Sequence, residues 1–336
     1  MQGQFVWYEL TTPDVDGARR FYPSITGWGT QQFDKDYTMW TNGGAPIGGI
    51  FRLGPEQRQK GIPPNWMPYI EADNVDETAR RATLLGGRVV HGPQDIPGTG
   101  RFAVLQDPQG ATFGIYKSNR GSQGWDGTFV LGRFSWHELA TTDYRKAFEF
   151  YRQLFGWEKT TEMDMGGGNM YSMYGQKGKS FGGMYNKGPE MAQYPPGWLV
   201  YAHVKDVQKA VEAATRAGAS VKQPPMDVPG GKIAVLTDPQ GATFAVHAGV
   251  EAQASKPAAK ASPPAAKKAS PPTAAKKASP PAARKKARPK SKVGAKKARP
   301  KAKAAARKKT ASRKRPAARK SSRKTKAKSK SARRRR

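Results

Sequence analysis

The sequence contains no cysteine in its 336 residues, which excludes a disulfide framework and thiolate chemistry. That absence fits a reducing compartment, and a cytoplasmic location is the expectation. No apolar run approaches the ~20 residues that a membrane-spanning helix needs. The opening Met1-Gln-Gly-Gln-Phe5 lacks the charged and apolar regions of a signal peptide. Glycine-rich phosphate loops are missing too: Gly43-Gly44 and Gly166-Gly-Gly168 read as hairpin turns. No activated nucleophile is visible. Acid is scarce only in part of the chain. Residues 251–336 hold 34 Lys and Arg against one acidic residue, a net +33. The first 250 residues hold the other 25 basic and 24 acidic groups, a net +1. A nearly neutral part is thus followed by a polycationic one.

What is present is a repeat. Asp107-Pro-Gln-Gly-Ala-Thr-Phe113 recurs as Asp238-Pro-Gln-Gly-Ala-Thr-Phe244. Asp-Pro-Gln-Gly is turn chemistry, and the apolar runs on both sides make each copy a β-hairpin closing a domain. Aligning the chain on these anchors pairs Phe5-Val-Trp-Tyr-Glu-Leu with Phe134-Ser-Trp-His-Glu-Leu, both strands. Asp14 and Asp143 follow as helix caps, then helices carrying Phe21-Tyr22 and Phe150-Tyr151 that stop at Gly27-Trp28 and Gly156-Trp157. Short strands around Tyr37–Trp40 and Met170–Tyr174 precede the Gly-Gly strands at 47–51 and 180–185. The pattern restarts at Met67 and Leu199, with helices over 75–85 and 207–217. Each half therefore reads as two βαβββ units, an α+β fold. The expected layout is a first domain over 1–118, a linker over 119–130, a second domain over 131–249 and a tail over 250–336.

Paired βαβββ units with Trp-x-Glu-Leu, Phe-Tyr, Gly-Trp, Pro-x-Asp-Ile/Val-Pro-Gly and Asp-Pro-Gln-Gly-Ala resemble the vicinal-oxygen-chelate superfamily. That superfamily includes glyoxalase I, fosfomycin-resistance proteins, extradiol dioxygenases and bleomycin-sequestering proteins. The resemblance covers almost all of residues 4–248 and implies two cup-shaped mixed sheets. It also implies a divalent metal in each cup. Carried over position by position, the ligand places fall on Trp7, Met67 and Gly114, and on Trp136, Leu199 and Ala245. None of these binds a divalent ion, so no metal and no cofactor are expected. One shifted set is conceivable, Glu138 with His203 and His247. The cups themselves are expected to be walled by Trp7, Glu9, Tyr69 and Glu71, and by Trp136, Glu138, Tyr201, His203 and His247. Aromatics with one or two carboxylates suit an amphipathic or cationic aromatic ligand. The rival reading is that the tryptophans simply fill the cups.

From about Val250 the chain has no aromatic residue and almost no large aliphatic one, so it is expected to be disordered alone. Lys-Ala-Ser-Pro-Pro starts at 260, 268 and 277, and Ala-Arg-Pro-Lys at 287 and 298. This resembles the C-terminal tails of linker histones and bacterial histone-like proteins. Such a segment binds polyphosphates by counterion release, without reading bases. The expected contacts include Lys268, Lys277, Lys285, Lys286, Lys296, Lys297, Arg307, Lys308, Arg313, Arg315, Arg333 and Arg336. DNA of the nucleoid is the expected partner, with RNA or an anionic membrane surface as alternatives. The sequence names no small-molecule ligand. It leaves three functions open: a DNA-tethered binder without metal, a glyoxalase- or dioxygenase-type enzyme localised by its tail, or a protein sequestering an aromatic toxin.

Overall fold

A computed structural model describes residues 2–249 except 122, 123, 125 and 126. All twelve expected DNA-contact residues, Lys268 to Arg336, lie outside the described residues. The first half runs β1 (Phe5–Thr12), α1 (Val15–Phe21), α2 (Pro23–Thr26), β2 (Gly29–Gln32), β3 (Tyr37–Asn42) and β4 (Ala45–Arg52). It continues through α3 (Pro55–Gln59), β5 (Asn65–Glu71), α4 (Val75–Leu84), β6 (Arg88–Ile96), β7 (Gly100–Gln106) and β8 (Thr112–Ser118). The second half repeats this with β9 (Phe134–Thr141), α5 (Tyr144–Phe155), β10 (Glu158–Asp164), β11 (Met170–Gln176) and β12 (Lys179–Asn186). A 3-10 turn at Pro189–Met191, β13 (Gly197–His203), α6 (Val207–Arg216), β14 (Ser220–Val228), β15 (Gly231–Thr237) and β16 (Thr243–Gly249) complete it.

Each half closes one eight-stranded sheet. The orders are β2-β3-β4-β1-β5-β8-β7-β6 and β10-β11-β12-β9-β13-β16-β15-β14. The expected βαβββ pairs are therefore present, joined where β1 meets β5 antiparallel and β9 meets β13 antiparallel. Asp14 and Asp143 cap their helices by accepting from the N–H of Gly17 and Lys146. Gly27 and Gly156 end them with positive φ. The first of the two helices is split where the second runs on, because Pro23 brings no N–H to the ladder.

The repeated motif does more than turn the chain. One oxygen of Asp107 accepts three backbone N–H groups, from Gln109, Gly110 and Ala111, at 2.8–2.9 Å. The other oxygen accepts the hydroxyl of Tyr151, in the other half, at 3.1 Å. Reciprocally, Asp238 accepts from Tyr22 at 2.8 Å. Trp66 and Trp198 donate to those same tyrosine hydroxyls. Phe113 packs edge-on against Tyr151, and Phe244 against Tyr22. A second seam lies at Tyr8 and His137, 2.6 Å apart, with Phe5 stacked on the imidazole at 3.6 Å. The motifs that make the repeat visible thus cross from one half to the other, and a single buried core spans both.

Candidate functional site

Strand alternation puts Trp7 and Glu9 on one face of β1, and Trp136 and Glu138 on the same face of β9. This face is turned away from the buried, helix-covered core, to which Tyr8, Leu10, His137 and Leu139 belong. Register then sets the rows. Trp7 lies beside Tyr69, which pairs with Gly114, while Glu9 lies beside Met67 and Gly49. The second half repeats this as Trp136, Tyr201 and Ala245, with Glu138 beside Leu199 and Gly183.

In each cup one carboxyl is held by tyrosines. Glu9 accepts from Tyr37 on Oε2 at 3.1 Å and from Tyr69 on Oε1 at 3.3 Å. Tyr37 in turn accepts the indole N–H of Trp7 at 3.0 Å. Glu138 accepts from Tyr171 at 2.9 Å and Tyr201 at 3.1 Å, both on Oε2, and Tyr171 accepts from Trp136 at 2.8 Å. Burial pushes both carboxyls above the usual range, and the tyrosine hydroxyls partly offset it. The same charge and burial push Tyr37, Tyr69, Tyr171 and Tyr201 well up, so these stay neutral donors.

Tyr37 and Tyr171 are members that the sequence reading lacked. They stand on β3 and β11, two strands from their glutamates. Each reaches across because the intervening strand carries glycine. A Cβ on Gly49 would lie 1.9 Å from the Tyr37 hydroxyl, and one on Gly183 would lie 2.1 Å from the Tyr171 ring. The signal was present: a tyrosine facing a Gly-Gly strand in both halves.

Several expected residues stand elsewhere. Glu71 is buried outside the network, with Oε1 paired to Lys117 at 3.3 Å. His203 and His247 lie side by side at the end of their strands, ring centroids 5.5 Å apart, with Phe129 edge-on to His247. His247 Nδ1 and the Ser135 hydroxyl are hydrogen-bonded at 3.0 Å, and the N–H of Gly249 donates to His203. Burial lowers the pKa of His247 to about 4 and that of His203 below its usual value. Neither histidine is hydrogen-bonded to Glu138. Among the described residues no three His, Cys, Asp or Glu side chains converge tightly enough to hold a metal ion, so the shifted set of Glu138, His203 and His247 does not form. Met67 and Leu199 pair in register with Glu9 and Glu138. The rows crossing the cup centres, Trp7-Tyr69-Gly114 and Trp136-Tyr201-Ala245, do not fit a divalent metal either. Away from the cups, a cleft of about 50 Å³ between Tyr8, Ile47, Arg133 and Phe134 has room only for water.

Residues 133–246 match the Glyoxalase/Bleomycin resistance protein/Dioxygenase superfamily, and residues 7–116 match a glyoxalase-like domain. The chain belongs to that superfamily. It is similar to CFP32 of Mycobacterium tuberculosis, a provisionally named glyoxylase, with 33% identity over 73% of this chain and 94% of the relative. It is also similar to the anthracycline biosynthesis protein DauV of Streptomyces sp. strain C5, with 32% identity over 76% and 96%. In fold it resembles the Mn(II)-bound glyoxalase of Novosphingobium aromaticivorans, at TM-score 0.52 and 15% identity over 74% of this chain and 83% of that one. The 2,2',3-trihydroxybiphenyl 1,2-dioxygenase of Sphingomonas wittichii is similar too, at TM-score 0.54 and 12% identity over 74% and 91%. Among the described residues, no helix is long and apolar enough to cross a membrane.

Proposed function

We propose that the chain is a small-molecule-binding member of the superfamily, working without a metal, and that residues 250–336 tether it to DNA of the nucleoid without reading sequence. The observation that carries the first part is the duplicated network, Trp7-Tyr37-Glu9-Tyr69 and Trp136-Tyr171-Glu138-Tyr201. Sheet packing alone would favour apolar side chains there, since a desolvated carboxyl costs several kcal/mol unless it is compensated. A half-buried acid framed by aromatic rings is a recognition group. One relative's name is tied to anthracycline biosynthesis, and an aromatic ligand suits walls of tryptophan and tyrosine. Sequestration of an aromatic toxin is one form of this function. The tether rests on the partition of charge, +33 against +1.

A second reading is favoured by the raised pKa of Glu138. A carboxyl displaced in that direction holds its proton more readily than an ordinary glutamate, which suits an acid–base group in a lyase or oxidoreductase of the glyoxalase or dioxygenase kind. The test is a thermal-shift and tryptophan-fluorescence screen of the full chain against planar aromatic compounds. Binders should raise the melting temperature, and Glu9→Gln with Glu138→Gln should remove the effect. A screen without binders, or shifts indifferent to both substitutions, would sink the reading. Turnover of a binder, lost in Glu138→Gln, would promote the enzymatic one.

A further inference from the structure

The two cups differ beside the carboxyl. In the first, the two oxygens of Glu9 take one tyrosine hydroxyl each, and Phe51 pairs with Tyr37 on the adjoining strand. In the second, both hydroxyls converge on Oε2 of Glu138, and Tyr185 stands where the first cup has Phe51. Tyr185 lies close enough that the Glu138 charge helps raise its pKa, and its ring stacks on Tyr171 with centroids 6.1 Å apart. Glu138 is thereby framed by Trp136, Tyr171, Tyr185 and Tyr201. No Lys or Arg forms an ion pair with it among the described residues, although exposed carboxylates such as Glu149 and Asp76 have theirs.

A desolvated carboxyl lacking a counter-charge is left short of compensation. Aromatic rings gathered around one carboxyl can supply the other half of an ammonium site, because a ring face attracts a cation within about 6 Å of its centroid. The hydroxyls of Tyr171 and Tyr201 donate to Glu138, and that of Tyr185, 3.9 Å from the sulfur of Met191, is hydrogen-bonded to the same carboxyl. Few acceptors remain for N–H groups, which disfavours a primary amine. We propose, building on the small-molecule reading above, that the second cup binds an N-methylated ammonium group. Glu138 is the counter-charge, and Trp136, Tyr171, Tyr185 and Tyr201 are the walls. The first cup has Phe51 in place of the third tyrosine and does not share this preference.

The probes are choline and its neutral isostere 3,3-dimethylbutan-1-ol, titrated into the full chain by tryptophan fluorescence and calorimetry. Choline should bind at least tenfold more tightly than the alcohol, with Glu138→Gln removing that advantage and Glu149→Gln, a change in an exposed ion pair, leaving it. Choline affinity of the unaltered protein should also rise with pH as Glu138 loses its proton. This measurement needs no variant, so a misfolded Glu138→Gln protein would not rescue the idea. Equal binding of both probes, or a flat pH profile, overturns the ammonium assignment and leaves the aromatic screen to judge the broader reading. Absence of choline binding overturns it too, whether or not that screen finds ligands.

Discussion

Gly183 sets where Tyr171 can stand. A methyl group there would sit 2.1 Å from the ring, so Gly183→Ala must expel it and cost Trp136 and Glu138 their shared partner. Chemical denaturation should show a loss of about 1–3 kcal/mol, with Trp136 fluorescence shifting toward that of an exposed indole. His137 supplies a prediction with a pH sign. Its Nδ1–H donates to the carbonyl of Phe181, which leaves Nε2 of the neutral ring to accept from Tyr8. Burial takes its pKa down to about 3. The unfolded chain, titrating near the ordinary 6.5, binds the proton first. The stabilisation from the neutral ring is therefore present above pH 6.5 and is lost as pH falls toward 3, by up to about 1.4 kcal/mol per pH unit. The buried carboxyls Glu9, Glu138, Asp107 and Asp238 act with the opposite sign, because their pKa values are raised. The difference between wild type and His137→Gln isolates the histidine: the gap should narrow on acidification, and a constant gap would refute the assignment. Glu9, Tyr69, Glu138 and Tyr201 were legible in the sequence because period-two alternation places them on the faces of central strands. Tyr37, Tyr171 and Tyr185 were not, because their reach depends on strand order and, for the first two, on a missing Cβ in the intervening strand.

At the scale of elements, the Asp-Pro-Gln-Gly hairpin and the Phe-Tyr helix form one device. The hairpin was legible, since turn chemistry is local. Its bond to Tyr151 or Tyr22 was not, since the partner belongs to the other half, 44 or 216 residues away. Tyr151→Phe removes the donor while keeping the ring, leaving one oxygen of Asp107 buried and unpaired. The expected cost is about 1–3 kcal/mol, and Tyr22→Phe should match it. Asp107→Ala should cost more than either, because three turn N–H groups lose their acceptor together. Thermal unfolding of the three variants checks the order, and an Asp107→Ala protein more stable than Tyr151→Phe would contradict the proposed division of labour.

For the whole molecule the dominant fact is the uneven charge. Nucleic-acid affinity should reside in residues 251–336 and fall steeply with salt, the slope of log K on log [salt] growing by about 0.9 per phosphate neutralised. Gel shifts on two unrelated duplexes, comparing the full chain with residues 1–250, test this. Tight, salt-insensitive binding by residues 1–250, or a strong preference for one duplex, would place the activity elsewhere. Ser262, Ser270 and Ser279 each precede proline among lysines. Phosphates there would add up to about −2 apiece and weaken binding. The partition of charge was fully legible, being a property of composition.

The reciprocal joint has a consequence for how such a chain could arise. The first half carries both a donor, Tyr22, and an acceptor, Asp107, and the second half carries Tyr151 and Asp238. Two copies of a single half would satisfy one another, tyrosine to aspartate in both directions, as an isologous pair. Fusing them replaces a concentration-dependent encounter with an intramolecular one at millimolar effective concentration. Freed from mass action, two such copies need not stay identical, and the cups of this chain differ where one has Tyr185 and the other Phe51.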